Sequence, residues 1–278
     1  MAILACCESL YALGRMADNS FDACVTDPPY ALRMNCIAWD YELPSIELWR
    51  EVLRVLKPGA HLVSFSSART YHRAASGIED AGFEIRDQLM WLNGQGFPKQ
   101  PTQLKPAHEP ICLARKPFKT SEVQNVCDWG TGSLNPESCR VGDRQNARQV
   151  SGKKSQKHVY GPIHVDGGKV YDKGRWPSNV LHDGVLENRP YESFFYCAKA
   201  SPSERGDSTH PTQKPLALMR YLVRLVTPTG GSVLDPFVGS GTTVVACELE
   251  GFHSVGIDRE AEYIEIAKRR LTALEEAA

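Results

Sequence analysis

A chain of 278 residues, 42% of them hydrophobic, can form one large α/β domain with an insert, or two domains. The formal net charge of −1 means that any strongly positive surface must be local, and nine cysteines without a Cys-x-x-Cys pair argue for a reducing cytoplasm, without a disulfide framework or a zinc site. Because no apolar stretch approaches transmembrane length and the N-terminus lacks the basic region of a signal peptide, we expect a cytoplasmic protein with no membrane partner.

The first informative feature in chain order is Asp27-Pro28-Pro29-Tyr30, which follows an apolar run at 21–26. The run predicts a buried strand that the double proline ends. The Asp27 carboxylate and the Pro28 carbonyl are two acceptors on a stiff backbone, and Tyr30 adds an aromatic face. This set suits an amino group on a flat ring, such as the exocyclic amine of adenine or cytosine swung out of a duplex. The alternative is a rigid strand-to-loop turn in which Asp27 is an ordinary cap.

Helices and strands alternate after this motif, as judged from the spacing of apolar residues. The predicted elements are a helix over 46–56 that ends at Lys57-Pro58-Gly59, a strand near 62–65, a helix over 71–81, and strands around 84–91 and 110–114. The last third continues with a helix over 216–226 and a long helix from Glu260. Such alternation implies a mostly parallel sheet covered by helices on both faces.

The segment from Lys116 to about Tyr196 loses this periodicity. Between Arg140 and Arg175 it holds nine basic residues against three aspartates, a local net charge of +6 in a chain that is otherwise acidic. The nine are Arg140, Arg144, Arg148, Lys153, Lys154, Lys157, Lys169, Lys173 and Arg175. Since phosphate neutralisation supplies most of the affinity for a duplex, the segment predicts a DNA-binding surface. The alternative is a solvated, partly disordered loop.

A strand, a glycine-containing loop and a helix are predicted from Val233 to Leu249. In this arrangement the backbone approaches a ligand closely and the helix N-terminus faces it. The loop is not a P-loop, because no Lys follows the glycines. It is not a dinucleotide-binding motif either, because Val244 stands where such a motif has its third glycine. The next predicted strand, 253–257, ends at Asp258, and an acidic residue at this place usually binds ribose hydroxyls. Loop and carboxylate together indicate a nucleoside-containing ligand.

Three motifs jointly resemble the amino-methylating (N4/N6) DNA methyltransferases that use S-adenosylmethionine. They are Asp27-Pro28-Pro29-Tyr30, His210-Pro211-Thr212-Gln213-Lys214-Pro215, and residues 235–243. Catalytic motif first and cofactor loop last is the order of the circularly permuted beta group. The resemblance also covers residues 55–59 and His108-Glu109-Pro110-Ile111. It implies a Rossmann-like fold with a catalytic half at 1–115, an irregular target-recognition insert at 116–199 and a cofactor-binding half at 200–278.

The resemblance implies site-specific methylation of adenine N6 in double-stranded DNA by base flipping, in a restriction-modification context, by a monomer or homodimer. Asp27, Pro28, Pro29 and Tyr30 would form the catalytic site. The implied cofactor-binding residues are Asp27, Thr212, Lys214, Asp235, Phe237, Gly239, Ser240, Gly241, Thr242, Thr243 and Asp258. Thr212 and Lys214 would lie near the methionine end of the cofactor, although Thr212 as a helix cap and Lys214 as a solvated amine are alternatives.

The implied mechanism stacks Tyr30 on the flipped base while Asp27 and the Pro28 carbonyl accept hydrogen bonds from its amine. These bonds draw the nitrogen lone pair out of conjugation for attack on the sulfonium methyl, mainly through positioning and charge. Neither a metal nor a covalent enzyme intermediate is required, because the positively charged sulfur already activates the methyl.

Other activities remain open at this point. Adenine is preferred because, in the resembling family, Asp before Pro-Pro-Tyr goes mostly with adenine and Ser is commoner with cytosine N4; cytosine N4 is the alternative. Carbon methylation of cytosine needs a Cys beside Pro, and the chain has no Pro-Cys pair. A protein or small-amine methyltransferase usually has the glycine loop first and lacks a basic insert. A catalytically inert DNA-binding protein would be expected to have lost Asp27 or the glycines.

One position departs from the family pattern. Family members usually carry a Gly-Asp pair at the end of a first short strand, where the acid contacts the cofactor adenine. Residues 3–8 contain no Asp, and Ala5 falls near that place. Either Glu8 substitutes from a shifted position or the adenine contact is weaker.

Overall fold

The structure is a computed structural model that describes residues 1–33, 38–94, 101–102, 104–141, 176–183, 195–205 and 212–277. Within these ranges the strands are β1 (Ala2–Cys6), β2 (Phe21–Thr26), β3 (Leu56–Phe65), β4 (Glu84–Leu92), β5 (His108–Arg115), β6 (Val180–His182), β7 (Phe195–Tyr196), β8 (Ser232–Asp235) and β9 (His253–Asp258). The helices are α1 (Ser9–Leu13), α2 (Ile46–Val55), α3 (Tyr71–Asp80), α4 (Glu122–Trp129), α5 (Pro202–Arg205), α6 (Leu216–Val226), α7 (Thr242–Glu250) and α8 (Ala261–Ala277). Two short 3₁₀ turns occupy Ala38–Asp40 and Pro136–Cys139.

The strands form one sheet in the order β1-β9-β8-β2-β3-β5-β4-β6-β7. Neighbouring strands are parallel except where β5 pairs with β3 and β4. The predicted mostly parallel, Rossmann-like sheet is therefore confirmed. Because β5 runs against its neighbours, its first residues lie at the sheet edge where β2, β3 and β8 end. We call this edge the carboxyl edge.

Helices cover both faces of the sheet, as predicted, because successive side chains of a strand point to opposite sides. Ala23 and Val25 of β2 belong to a core shared with α6 and α7. Cys24, between them, belongs to a second core shared with α1, α2 and α3. All six residues of β2 are buried, as expected for a parallel strand covered on both faces.

The boundary between α2 and β3 differs from the prediction. The helix begins after Ser45, whose side chain accepts from the Leu48 amide at 3.2 Å, and it ends at Val55. β3 starts at the next residue and runs through the Lys57-Pro58-Gly59 segment, which we predicted to end the helix. Gly59 has a φ of +80°, and the pairing register with β2 shifts in this part of the strand, so the segment is an irregularity inside β3.

The predicted insert contributes secondary structure that the sequence analysis did not find. α4 is capped by Ser121, and the Asn125 side chain in its middle donates to the Pro58 carbonyl of β3 at 2.9 Å. β6 pairs with β4, with Met90 opposite Val180, and β7 then pairs with β6 at the end of the sheet. Residues 142–175 lie outside the described ranges.

The part of the chain that the structure describes contains no helix that is both long and apolar enough to cross a membrane. In the same residues, no group of three or more His, Cys, Asp or Glu side chains is arranged to hold a metal ion.

Candidate active site

The carboxyl edge brings the two predicted motifs together. β2 and β8 are adjacent parallel strands, with Cys24 opposite Leu234, so the chain leaves both strands on the same side. The Thr26 hydroxyl at the end of β2 donates to Asp235 Oδ1 at the end of β8, at 2.7 Å. This bond ties the start of the Asp27 motif to the start of the glycine loop.

One cavity at this edge contains nearly all of the predicted catalytic and cofactor residues. Its lining includes Asp27, Pro28, Pro29, Tyr30, Thr212, Lys214, Asp235, Phe237, Gly239, Ser240, Thr242, Thr243 and Asp258. Of the predicted catalytic and cofactor set, Gly241 alone is missing from it. Three segments that are far apart in sequence therefore form a single site.

Asp27 is held by two side chains. The Tyr30 hydroxyl donates to Asp27 Oδ1 at 2.5 Å, and the Lys214 ammonium donates to Oδ2 at 2.5 Å. The backbone of Tyr30 is fixed in turn, because its amide donates to Asp40 Oδ1 at 3.0 Å and its carbonyl accepts from the Thr70 hydroxyl at 2.9 Å. The carboxylate and the aromatic ring thus have defined orientations.

Lys214 is buried, with 7% of its surface exposed, so the alternative of a solvated amine is wrong. Its Nζ lies 3.5 Å from Glu109 Oε2 as well as 2.5 Å from Asp27 Oδ2. Burial lowers the pKa of this ammonium, but Asp27 and Glu109 outweigh burial, and the pKa is raised overall. Thr212 does not cap α6, because the residue that precedes the helix as its N-cap is Pro215.

Glu109 is a site residue that the sequence analysis did not assign. In the sequence, Glu109 belongs only to the motif at 108–111 before a strand, and its place beside Lys214 follows from the reversed direction of β5. Burial raises the pKa of the Tyr30 hydroxyl well above its usual value, and the charges of Asp27 and Glu109 raise it further. Tyr30 is therefore a protonated hydrogen-bond donor at neutral pH.

The glycine loop is bound to Asp258 through backbone amides. Gly239 N donates to Asp258 Oδ2 at 2.9 Å, and Glu260 N donates to Oδ1 at 2.9 Å. Burial raises the pKa of the Asp258 carboxyl, while these two amide bonds act in the opposite direction. Asp258 thus orders the loop as well as lining the cavity.

Gly241 has a different role from the predicted one. Its φ is +83°, and a Cβ atom there would lie 2.6 Å from the Cβ of Ala267 in α8. A side chain would therefore meet the final helix and not a ligand, whereas the family resemblance implied that Gly241 binds the cofactor. Gly241 permits the loop to turn and α8 to pack closely behind it.

Arg270 of α8 also supports the loop from behind. Its Nη1 donates to the Ser240 carbonyl at 2.7 Å and to the Thr242 hydroxyl at 2.9 Å. Nothing in the local sequence pattern indicated this role, because the last helix looks amphipathic and solvent-facing around Arg270.

Asp235 is buried at the centre of the site, and its Oδ1 also accepts from the Phe237 amide at 3.1 Å. Burial raises the pKa of its carboxyl to about 6, despite the hydrogen bonds from Thr243, Thr26 and Phe237. The folded protein therefore opposes ionisation of Asp235.

Asp235→Asn should stabilise the protein more at neutral than at acidic pH. The folded pKa of about 6 lies above the usual 3.8, so the wild type loses stability as pH rises through this window. The gap in unfolding free energy between variant and wild type should widen by up to about 3 kcal/mol. Urea unfolding at about pH 4 and about pH 7.5 measures this gap, and a gap that does not change with pH contradicts the assignment.

Near the N-terminus, the cavity is lined by Glu8 and Ser9, and not by Ala5. The Ser9 hydroxyl donates to the Pro236 carbonyl at 2.5 Å, which links α1 to the glycine loop. Glu8, two residues beyond the end of β1, therefore lies at the cavity next to Ser9.

The predicted DNA-binding residues lie mostly outside the described ranges. Arg140 is described: its guanidinium contacts Glu137 Oε1 at 2.7 Å and lies 4.9 Å from the centre of the Trp176 ring. The other eight, from Arg144 to Arg175, fall within residues 142–175. Their contact with DNA stays a prediction.

The charges that line the cavity are mainly negative. The acidic residues are Glu8, Asp27, Asp40, Asp235, Asp258 and Glu260, and the basic residues are Lys214 and Arg259. Such a lining repels the phosphates of a dinucleotide and favours a ligand that carries cationic groups.

Comparisons with known proteins identify the family of the chain. A family model described as "DNA methylase", N6_N4_Mtase, matches residues 21–269. The type II methyltransferase M.HpaI of Haemophilus parainfluenzae is 29% identical over 276 residues, which cover 96% of this chain and 73% of that protein. The type II methyltransferase M2.DpnII of Streptococcus pneumoniae is 25% identical over 292 residues, which cover 98% and 90%.

Two solved structures share the fold. The M1.HpyAVI–SAM complex superposes with a TM-score of 0.59 at 22% identity, covering 98% of this chain and 99% of that one. The cytosine-N4-specific PvuII DNA methyltransferase superposes with a TM-score of 0.62 at 16% identity, covering 97% and 86%.

Proposed function

The chain belongs to the N6/N4 DNA methylase family, and from this premise we propose that it methylates N6 of adenine in double-stranded DNA, at specific sites, by base flipping. The methyl donor is S-adenosylmethionine. The observation that carries the proposal is the single cavity in which Asp27 and Tyr30 meet the glycine loop and Asp258. Type II methyltransferases among its relatives support a restriction-modification context.

The charges that line the cavity suit S-adenosylmethionine. The cofactor supplies a methyl group on a positively charged sulfur, and six acidic side chains against two basic ones suit its sulfonium and ammonium groups. We assign the ribose to Asp258, and the glycine loop with the N-terminus of α7 lines the same cavity. Thr212 and Lys214 lie on the same lining, where we place the methionine end.

The residues of the catalytic motif bind and polarise the target amine. Each oxygen of the Asp27 carboxylate has a further lone pair beside those that accept from Tyr30 and Lys214, so it can still accept from an amine. The Pro28 carbonyl is the second acceptor, and the Tyr30 ring, oriented by its own hydroxyl bond, is the stacking surface. Preorganised acceptors of this kind stabilise positive charge that develops on the nitrogen in the transition state.

The choice of adenine is tested by incubation with labelled S-adenosylmethionine and unmethylated plasmid, followed by nucleoside analysis. We expect label in N6-methyl-2′-deoxyadenosine. Label in N4-methylcytosine would mean that the enzyme methylates cytosine N4 and not adenine. Label in protein would mean that protein, and not DNA, is the substrate. Duplex binding without any transfer would identify a catalytically inert DNA-binding protein.

Asp258→Ala is expected to weaken S-adenosylmethionine binding by about 1.5–3 kcal/mol, because it removes a charged hydrogen bond to the ribose. Isothermal titration calorimetry on the folded variant measures this. Glu262→Ala, which removes an exposed carboxylate early in α8, is the matched control and should bind normally. Unchanged affinity in Asp258→Ala would leave Asp258 only its bonds to the loop amides.

We propose the following division of the chain: residues 1–115 supply catalysis, 200–278 bind the cofactor, and 116–199 recognise the target. Reversal of Lys153, Lys154 and Lys157 to Glu should then weaken duplex binding and reduce its salt dependence. The slope of log affinity against log salt should fall by about 0.9 for each DNA phosphate that the variant no longer neutralises. Affinity for S-adenosylmethionine should not change, because the cofactor is assigned to other segments.

Reversal of three exposed basic residues outside residues 116–199, namely Arg50, Lys268 and Arg269, is the control for net charge. If the insert binds phosphates, fluorescence anisotropy with duplex DNA will show a much smaller effect for the control. Equal weakening in the two triple variants, or wild-type affinity and salt slope in the first, contradicts the assignment of these lysines.

A further inference from the structure

A buried cation lies between two carboxylates at the centre of the site. Lys214 Nζ is 2.5 Å from Asp27 Oδ2 and 3.5 Å from Glu109 Oε2. The same nitrogen lies 5.0 Å from the centre of the Phe65 ring and 5.4 Å from that of Tyr30. Glu109 Oε2 is shielded from solvent, and its contact with Lys214 Nζ is a long one, at 3.5 Å. The charge of this carboxylate therefore acts on the Lys214 ammonium through space.

The position of Glu109 depends on the topology of the sheet. It is the second residue of β5 and lies opposite Trp91 of β4. The carbonyl of the next residue, Pro110, accepts a hydrogen bond from the Ser66 amide at 3.0 Å. Because β5 is antiparallel, its beginning lies at the carboxyl edge, where β2 delivers Asp27. A carboxylate is thus placed behind the catalytic motif by a strand that contributes no residue to the cavity lining itself.

The ammonium creates an electrostatic problem for the proposed reaction. An amine nitrogen that attacks a methyl group gains positive charge, and Asp27 is the acceptor that stabilises it. A cation hydrogen-bonded to Asp27 in a poorly solvated site opposes this stabilisation, because charges interact strongly there. Lys214 and Asp27 alone would have no net charge, whereas Glu109 restores a net charge of −1 to the cluster.

We propose that Glu109 is a positioning residue whose carboxylate balances the Lys214 ammonium, so that the negative charge of Asp27 remains available to the reacting amine. The inference rests on the proposed amine methylation. In this proposal, Lys214 holds Asp27 in place, and Glu109 offsets the positive charge of the Lys214 ammonium.

The first test compares Glu109→Gln with the wild type in steady-state methylation of duplex DNA. The neutral amide keeps the size of the side chain and should lower kcat by about 10- to 100-fold, as expected when one charged interaction is removed. The KM and Kd for S-adenosylmethionine should stay unchanged, because Glu109 does not line the cavity. Glu109→Asp, which keeps the charge, should recover most of the rate.

Glu84→Gln is the matched control. Glu84 also lies in β4–β5, where its carboxylate contacts the buried Arg115 at 2.8 Å, but at the opposite end of these strands. The substitution removes a carboxylate from a sheet ion pair without approaching Asp27, and kcat should be that of the wild type. An equal fall in rate in Glu84→Gln and Glu109→Gln would overturn the proposal in favour of a general effect on the sheet.

The second test asks whether Glu109 acts through Lys214. In a Lys214→Met background there is no ammonium to balance, so adding Glu109→Gln should change kcat by less than about threefold. The full fall in kcat in that background would mean that Glu109 acts by a route other than Lys214, such as its charge on Tyr30, and the proposal would fail. A wild-type kcat in the single variant Glu109→Gln would also overturn it.

A third measurement is independent of activity. Asp27 and Glu109 share one buried cation, so Asp27→Asn and Glu109→Gln should each leave Lys214 a partner, while the double variant leaves neither carboxylate. The double variant should lose more stability in urea unfolding than the two single variants together. Additive effects would overturn the shared-charge assignment.

The failure of the inference can be told apart from the failure of the proposed function. If the wild type methylates no duplex DNA, the proposed function fails, and the inference that rests on it fails too. An active wild type with additive effects refutes the inference alone.

Discussion

Asp27→Asn should lower kcat for methyl transfer by about 10²–10³-fold while S-adenosylmethionine still binds, because it weakens an acceptor that acts mainly in the transition state. Asparagine retains one acceptor oxygen for the Tyr30 hydroxyl, so the ring should keep its orientation. Alanine is a poorer choice, since it removes the closer of the two carboxylates that contact the buried Lys214 ammonium and adds a folding defect.

Single-turnover kinetics with duplex DNA, together with calorimetry for the cofactor, separates chemistry from binding. Asp258→Ala supplies the contrast, because it should weaken cofactor binding. If Asp27→Asn retains more than about a tenth of the wild-type rate constant, Asp27 does not have the proposed role.

Gly241→Ala should destabilise the protein by about 2–4 kcal/mol and weaken S-adenosylmethionine binding as a consequence. Two costs add at this position. The backbone has a φ of +83°, which L-residues rarely adopt, and the new Cβ would lie 2.6 Å from the Ala267 Cβ. Since α8 must move to relieve the clash, the glycine loop and its bond with Arg270 move with it.

Gly251→Ala separates these two costs, because Gly251 has a similar φ of +75° but no atom within 4 Å of the added Cβ. It should lose only about 1 kcal/mol in urea unfolding. Ala267→Gly, added to Gly241→Ala, should restore part of the stability by making room for the new methyl group. Equal destabilisation at positions 241 and 251 would show that packing against α8 does not matter.

The sequence predicted the elements that depend on local chemistry. The strand at 21–26 ends where a double proline removes backbone donors, and the loop at 235–243 turns where Gly239 and Gly241 adopt positive φ. The helix at 216–226 follows from its apolar spacing, and the structure has the same limits. These features are set by residues within a few positions of one another, so periodicity and turn chemistry suffice to identify them.

Other features were missed because they depend on residues far away in the chain. β6 and β7 have three and two residues, too few for any alternation to be visible. β6 forms by pairing with β4, and β7 forms by pairing with β6. Lys57-Pro58-Gly59 resembles a turn in isolation. It lies inside β3 because Gly59 N donates to the Lys116 carbonyl at 3.0 Å and Asn125 donates to the Pro58 carbonyl.

The chemistry of the site divides in the same way. The sequence by itself predicted the groups that we assign to the reaction, because Asp27, Tyr30 and the glycine loop belong to contiguous motifs whose chemistry can be read without the rest of the fold. Only the tertiary structure decided the charge around them. The antiparallel direction of β5 places Glu109 beside Lys214, and the packing of α8 places Arg270 behind the loop. Electrostatic interactions act through space between strands whose order in the sheet differs from their order in the chain, so no local pattern records them.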